Sequence, residues 1–118
     1  MFSDLDDNWS PYKKEHTEGT KHDKEKPRTD LLPIYPLMEW SKVLTSGAKK
    51  YGDHNWRQGI KYSRIYAAVL RHLFAFWAGE DNDQETGLSH LTHALCEIGF
   101  LLEFTKRPDL DDRYKEIK

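Results

Sequence analysis

The sequence predicts an all-α fold: a compact helical domain of three main helices plus a short C-terminal helix, with a mobile N-terminal arm in front. Three observations carry that reading. Apolar residues recur at three- and four-residue intervals in three separate stretches, as on one face of an α-helix. Ser63 and Ser89 precede two of these stretches as helix-starting residues, and Gly52, Gly79 and Pro108 follow the ends as stops. No stretch alternates apolar and polar residues with the period of two that a half-buried strand requires.

Composition fits one small domain. The chain has 118 residues, 37% hydrophobic and 32% charged. Of its 44 hydrophobic residues, 36 fall within 31–104, so that stretch is about half apolar and supports a core. Residues 1–30 carry 14 charged and five hydrophobic residues, too little apolar surface to offset the entropy of ordering. The expected organisation is therefore a flexible charged arm (1–30), a helical domain (31–106) and a C-terminal tail or short helix (107–118).

Each element has its own signals. In Leu31-Leu32-Pro33-Ile34-Tyr35-Pro36 the chain is extended before each proline, and Pro36 suits the first turn of a helix. Leu37, Trp40, Leu44, Ala48 and Tyr51 then form one helical stripe, which Gly52 ends. A loop at 53–59 follows. The second helix is expected from a Ser63 cap to about Ala78, burying Ile65, Val69, His72 and Phe76. Four acids in six positions (Glu80, Asp81, Asp83, Glu85), flanked by Gly79 and Gly87, read as a loop. Ser89 caps a third helix lasting to about Thr105, with Leu91, Leu95, Ile98 and Leu102 as its expected core stripe. Leu110, Tyr114 and Ile117 suggest the short C-terminal helix. Trp40, Phe74, Trp77 and Phe100 are more apolar surface than three helices cover, which points to a homodimer or larger assembly.

Several classes are excluded or disfavoured. One cysteine, Cys96, leaves no internal disulfide framework. The acidic N-terminus is unlike a signal peptide, and no run of eighteen apolar residues occurs, so the reading is a soluble, cytoplasmic protein with no membrane partner. A net charge of −2 gives no pull toward a nucleic-acid polymer. No glycine-rich phosphate loop is present, and the single His-Asp dipeptide, His22-Asp23, lies in the charged arm, so it does not suggest a metal phosphohydrolase of that type.

That small net charge conceals a division. Residues 41–71 hold seven basic residues and one acid, whereas 72–105 hold six acids and neither Lys nor Arg. Folded together, the halves offer a basic wall for phosphates and an acidic, imidazole-bearing wall for a divalent cation; unfolded against each other, they are two solvated faces.

The imidazoles are the sharpest signal. His90 and His93 are three apart and Glu97 is four further on, so all three share a helix face. In an antiparallel hairpin His72 lies roughly 7.5 Å, and His93 roughly 6 Å, from the open end, nearly level. The acidic loop closes that end. The expected metal ligands are His72, Asp81, Asp83, His90, His93 and Glu97, a mixed nitrogen and oxygen set that favours Mn²⁺, Fe²⁺ or Zn²⁺ over Mg²⁺. The plainer alternatives are a hydrogen-bonded core His72 and a Glu97 that only orients His93. Glu80 or Glu85 is placed as a general base. Asn55 and Trp56 pair an amide with an aromatic plane, for stacking on a base or, as indoles often do, for plugging a core.

These residues also resemble a known family. Lys26-Pro27-Arg28-Thr29-Asp30-Leu31-Leu32-Pro33, Gly47-Ala48-Lys49-Lys50-Tyr51-Gly52 with Asn55-Trp56, Arg71-His72, Gly79-Glu80-Asp81 with Asp83, Glu85 and Gly87, and His90-Leu91 with His93-Ala94 resemble the phage-associated dATP/dGTP diphosphohydrolase domain family. The resemblance covers 26–103. It implies a helical fold related to MazG-type nucleotide pyrophosphohydrolases, a phage or prophage origin (hence a host cytoplasm), and hydrolysis of purine deoxynucleoside triphosphates to monophosphate and pyrophosphate. MazG-type enzymes hold Mg²⁺ with Glu-x-x-Glu and Glu-x-x-Asp on helices. Here Glu15 and Glu18, and Glu80 and Asp83, have those spacings but lie in the arm and the loop.

The expectation is thus a metal-dependent pyrophosphohydrolase whose 31–106 domain binds nucleotide through Lys49, Lys50, Tyr51, Asn55, Trp56 and Arg71, with Arg28 added from the arm. The alternative is a non-catalytic protein that sequesters a host signalling nucleotide.

Overall fold

The computed structural model describes residues 19–115, which fall into two units divided between Leu32 and Pro33. Glu15, Glu18 and Ile117 lie outside the described residues. In the first unit a 3₁₀ turn covers Thr29–Leu31, and the Arg28 guanidinium donates two 2.8 Å hydrogen bonds to the Asp30 carboxylate. The second unit holds α1 (Ile34–Tyr51), α2 (Tyr62–Trp77) and α3 (His90–Phe104), with 3₁₀ turns at Asn55–Gln58 and Pro108–Leu110. The short C-terminal helix is that last turn, which ends at Leu110; Tyr114, expected on it, lies beyond in residues without regular structure and is exposed. No strand occurs among the described residues, only one antiparallel bridge between Asn82 and Ser89. Among the described residues no helix is long and apolar enough to cross a membrane.

α2 and α3 form an antiparallel hairpin. Tyr62, at the start of α2, donates its hydroxyl to the Phe104 carbonyl at the end of α3 (2.7 Å), while His72 meets His90 near the loop. The core sits at the first of these ends. Ile65 is 1% exposed and packs with Tyr62, Val69, Ala94, Phe104 and Leu110. Full burial of one such aliphatic side chain contributes about 1.5–3 kcal/mol. Trp56 packs on this cluster, its ring stacked on Phe100 at 5.2 Å, and so closes the core from the loop before α2.

Helix ends follow the sequence at Gly52, which ends α1, and at Ser89 and Gly79, and depart from it at Ser63. Ser89 caps α3 as expected, its hydroxyl accepting from the Leu91 and Thr92 amides. Gly79 stops α2 as expected: at φ 104° it lets its own amide reach Phe76 O and the Glu80 amide reach Ala75 O, the paired bonds of a Schellman end. Ser63, however, is not the cap of α2, which begins at Tyr62. Its amide and hydroxyl both donate to the Asp112 carboxylate, at 2.9 and 2.5 Å. The acceptor that a local cap would supply comes from 49 residues away.

The expected core stripe of α3 is also corrected. Leu91, Ile98 and Leu102 are 45%, 48% and 70% exposed, while His90, Thr92, Ala94, Cys96 and Phe104 are buried. α3 is apolar nearly all round, so periodicity alone did not say which face meets a neighbour. Small residues decide it. Ala94 lets α2 approach, and Gly99 receives the Trp40 indole of α1. Trp40 and Phe100 are therefore half-buried, whereas Phe74 and Trp77 are exposed. α1 has no buried residue. Cys96 is buried, and burial pushes its thiol up to about 12, so it is an inert packing group.

Candidate functional site

The hairpin's open end gathers three imidazoles and two carboxylates. The Schellman end of α2 delivers Glu80 directly beside α3. Its Oε1 lies 2.6 Å from His90 Nε2, and its Oε2 accepts from Gln84 Nε2 at 2.9 Å. His90 Nδ1 lies 2.9 Å from His72 Nδ1. The His93 ring stacks on His72, with centroids 4.7 Å apart and planes within 8°. His93 Nε2 is 2.7 Å from Thr86 Oγ1, and that hydroxyl also meets Asp83 Oδ2 at 3.2 Å.

These contacts fix the protons. A carboxylate only accepts, so Glu80 holds the proton of His90 on Nε2 and leaves Nδ1 as an acceptor. Thr86 has one hydroxyl proton, and Asp83 takes it. Thr86 then accepts from His93 Nε2–H and from the Leu88 amide at 3.1 Å. His93 keeps a lone pair on Nδ1.

Burial lowers the pKa of His72, reinforced by His93 and His90, with Asp83 opposing. Burial likewise lowers His93, against the pull of Asp83. Burial by itself would raise Asp83, but its bonds to the Thr86 amide and hydroxyl, with His93 and His72 nearby, hold it below the usual carboxylate range. His72 and His93 are thus biased to the neutral form and Asp83 to the ionised one, the protonation states that cation ligands require.

The donor set fits a divalent ion. His72, Asp83 and His90 each offer a ligand atom within 4.8 Å of the others. The two Nδ1 atoms, 2.9 Å apart, are near enough for both to face one cation once His72 moves its proton to Nε2. With the His90 proton on Nε2, His72 Nδ1–H is the donor of this hydrogen bond.

Of the other expected ligands, His93 is engaged by Thr86 and stacked on His72. Asp81 contributes its carbonyl, which accepts from the His90 amide at 2.9 Å, and its side chain is exposed. Glu97 is half-buried, its pKa raised by burial and drawn back by Arg71, and it stands outside the group of three. Glu80 and Glu85, expected as bases, both have partners: Glu85 pairs with Lys50 Nζ at 2.7 Å. That pair joins the basic end of α1 to the acidic loop.

The expected substrate residues divide. Lys49, Lys50 and Tyr51 sit together in the last turn of α1, with Lys50 Nζ 5.2 Å above the Tyr51 ring. Arg71 is exposed on α2, next to His72, and Asn55 is exposed at the start of its 3₁₀ turn. Trp56 is a core plug instead of a free stacking plane, since its ring is spent on Phe100 and Phe104 with the Arg57 guanidinium 5.4 Å away. Arg28 belongs to the first unit and is paired with Asp30. Thr86 and Gln84 were not foreseen. The legible signal for Thr86 was Asp83 three residues earlier, since an Asp side chain commonly accepts from an amide just downstream in a turn; here that bond is 3.0 Å.

Fold and site together define a small all-α protein with an imidazole and carboxylate cluster at the loop end of a helical hairpin. The family model described as dATP/dGTP diphosphohydrolase, N-terminal, matches residues 16–113, and the chain belongs to that family. A protein named dATP/dGTP diphosphohydrolase, from Salmonella phage PMBT28, is 38% identical over 96 residues, which are 80% of this chain and 33% of the relative. The chain therefore spans about a third of the length of the curated relative it matches. No solved structure matches.

Proposed function

We propose that this chain binds a purine deoxynucleoside triphosphate at the loop end of the α2/α3 hairpin and hydrolyses it, in a metal-dependent reaction, to monophosphate and pyrophosphate. The observation that carries the reading is the convergence of His72, Asp83 and His90, with Glu80 fixing the His90 proton. The name of the phage relative supports the substrate class.

His72, Asp83 and His90 would hold a divalent ion (Mn²⁺, Fe²⁺, Zn²⁺ or Mg²⁺), which when bound supplies charge to polarise a phosphoryl oxygen. Lys49 and Arg71 balance the remaining phosphate charge, and Lys50 joins them when it exchanges Glu85 for phosphate. Attack by water on the α-phosphorus forms one P–O bond and breaks the bond to the pyrophosphate leaving group. The water's proton goes to His93 Nδ1, the nitrogen that Thr86 leaves with a lone pair.

A second reading is a non-catalytic nucleotide binder, such as one that sequesters a host signalling nucleotide. The engagement of Glu80 by His90 and Gln84 favours it, because that carboxylate is then not available as a base.

One experiment separates the two. The protein is incubated with dATP or dGTP and Mn²⁺ or Mg²⁺, and products are resolved by chromatography. Monophosphate and pyrophosphate that disappear in His93→Gln support hydrolysis. Intact nucleotide, recovered only on denaturation, supports the binder. Neither turnover nor binding with any of these metals rejects both readings.

A further inference from the structure

We propose that the face of the hairpin turned away from the histidines is the docking surface for a second copy of this chain. On α2, Tyr66, Leu73 and Trp77 are 59%, 37% and 88% exposed; on α3, Leu91, Ile98 and Leu102 are 45%, 48% and 70% exposed. With Leu70 and Leu95 between them, each helix carries an apolar row at i, i+4, i+7 and i+11, the spacing by which helices of a bundle meet.

The two rows share one side of the hairpin. In α2 the row lies about a quarter turn beyond the buried Tyr62, Ile65 and Val69, and in α3 about a quarter turn beyond the buried His90 and Ala94, both in the direction of chain progress. Because the helices are antiparallel, both rotations open to the same side. His72 and His93 are displaced from the buried rows in the opposite sense, so the imidazoles face away from this surface. α1 does not cover it either, since Trp40 meets α3 at Gly99, on a third face.

Three properties select a second copy as the occupant. Neither row contains a charged residue, so bringing the face against its own copy buries no like charges. Two antiparallel helices with the same row spacing present a surface that a two-fold axis can superpose on itself, as a closed dimer requires. With Phe74 at its edge, 66% exposed, the rows expose about 800 Å² of side chain, taking about 150–250 Å² for each whole aromatic and somewhat less for each aliphatic. That equals what one partner contributes to a stable interface of about 1,600 Å².

The test is sedimentation velocity of the intact chain from micromolar to hundreds of micromolar concentration. The expected particle has twice the 13.9 kDa chain mass. Trp77→Lys and Leu102→Glu should each sediment as monomers with an unchanged helical circular dichroism spectrum, because both positions are mostly exposed in the single chain and tolerate a charge there. A wild-type monomer throughout the range, any stoichiometry other than two, or dimers that survive both substitutions would overturn the proposal. So would a monomer that co-sediments with phosphatidylcholine vesicles, which would assign the face to lipid.

Discussion

The indole of Trp40 lies where α3 has no side chain: a β-carbon added at Gly99 would stand 2.5 Å from Trp40 Cζ2 and 2.6 Å from Cη2. This contact fastens α1 to the hairpin. An exposed mid-helix glycine changed to alanine gains about 1 kcal/mol of helix propensity. At Gly99 the sign reverses, because a rigid indole cannot yield, and overpacking costs about 1–3 kcal/mol. Gly99→Ala should lower the thermal midpoint by several degrees, and Gly99→Ala combined with Trp40→Ala should lose that clash. An unchanged midpoint in the single variant would show that the indole moves freely.

Glu80 acts on the cluster through His90. Replacing it with alanine leaves a buried imidazole free to place its proton on Nδ1, the atom that would ligate. Titration calorimetry with Mn²⁺ or Zn²⁺ should show affinity falling about 10- to 100-fold in Glu80→Ala. Asp83→Asn and His72→Ala change two of the three residues that could hold the ion and should weaken binding further than Glu80→Ala.

The depressed pKa values of His72 and His93 set a pH dependence of stability. In the unfolded chain both protonate near pH 6.5, whereas the folded state resists protonation until lower pH. Unfolded molecules then bind more protons, so stability is full above about pH 6.5 and declines as pH falls toward the folded values. With chelator present, urea midpoints should drop between about pH 7.5 and about pH 5.5. A double His72→Gln, His93→Gln variant should show a flatter profile; equal slopes would assign the dependence to other groups.

Asp112 caps α2 from outside it. Asp112→Ala removes the acceptor for both the amide and the hydroxyl of Ser63 and should lower the urea midpoint, whereas Asp112→Asn keeps an amide oxygen and should lose less. Hydrogen exchange at the first turn of α2 should rise in the alanine variant; protection equal to wild type there would mean the contact carries no weight.

Much of this molecule can be read along the chain. The three helices are legible because their signals are local: stripes of period 3.6, the Ser89 hydroxyl, the glycine that follows α2. The meeting of His72 with His93 follows from equal depth in an antiparallel hairpin. The acidic loop is legible as a loop, but not its internal wiring, because which of four carboxylates reaches an imidazole depends on where the backbone turns.

Sequence by itself determined the helical class, the element order and the placement of histidines beside acids, since each rests on residues within a few turns of one another. Tertiary structure alone decided which face of α3 is buried, that Trp56 plugs the core, and that His90 pairs with Glu80 while His93 pairs with Thr86. A helix apolar on every side has no preferred face until a neighbour arrives, and α1 and α2 approach where Gly99 and Ala94 leave room.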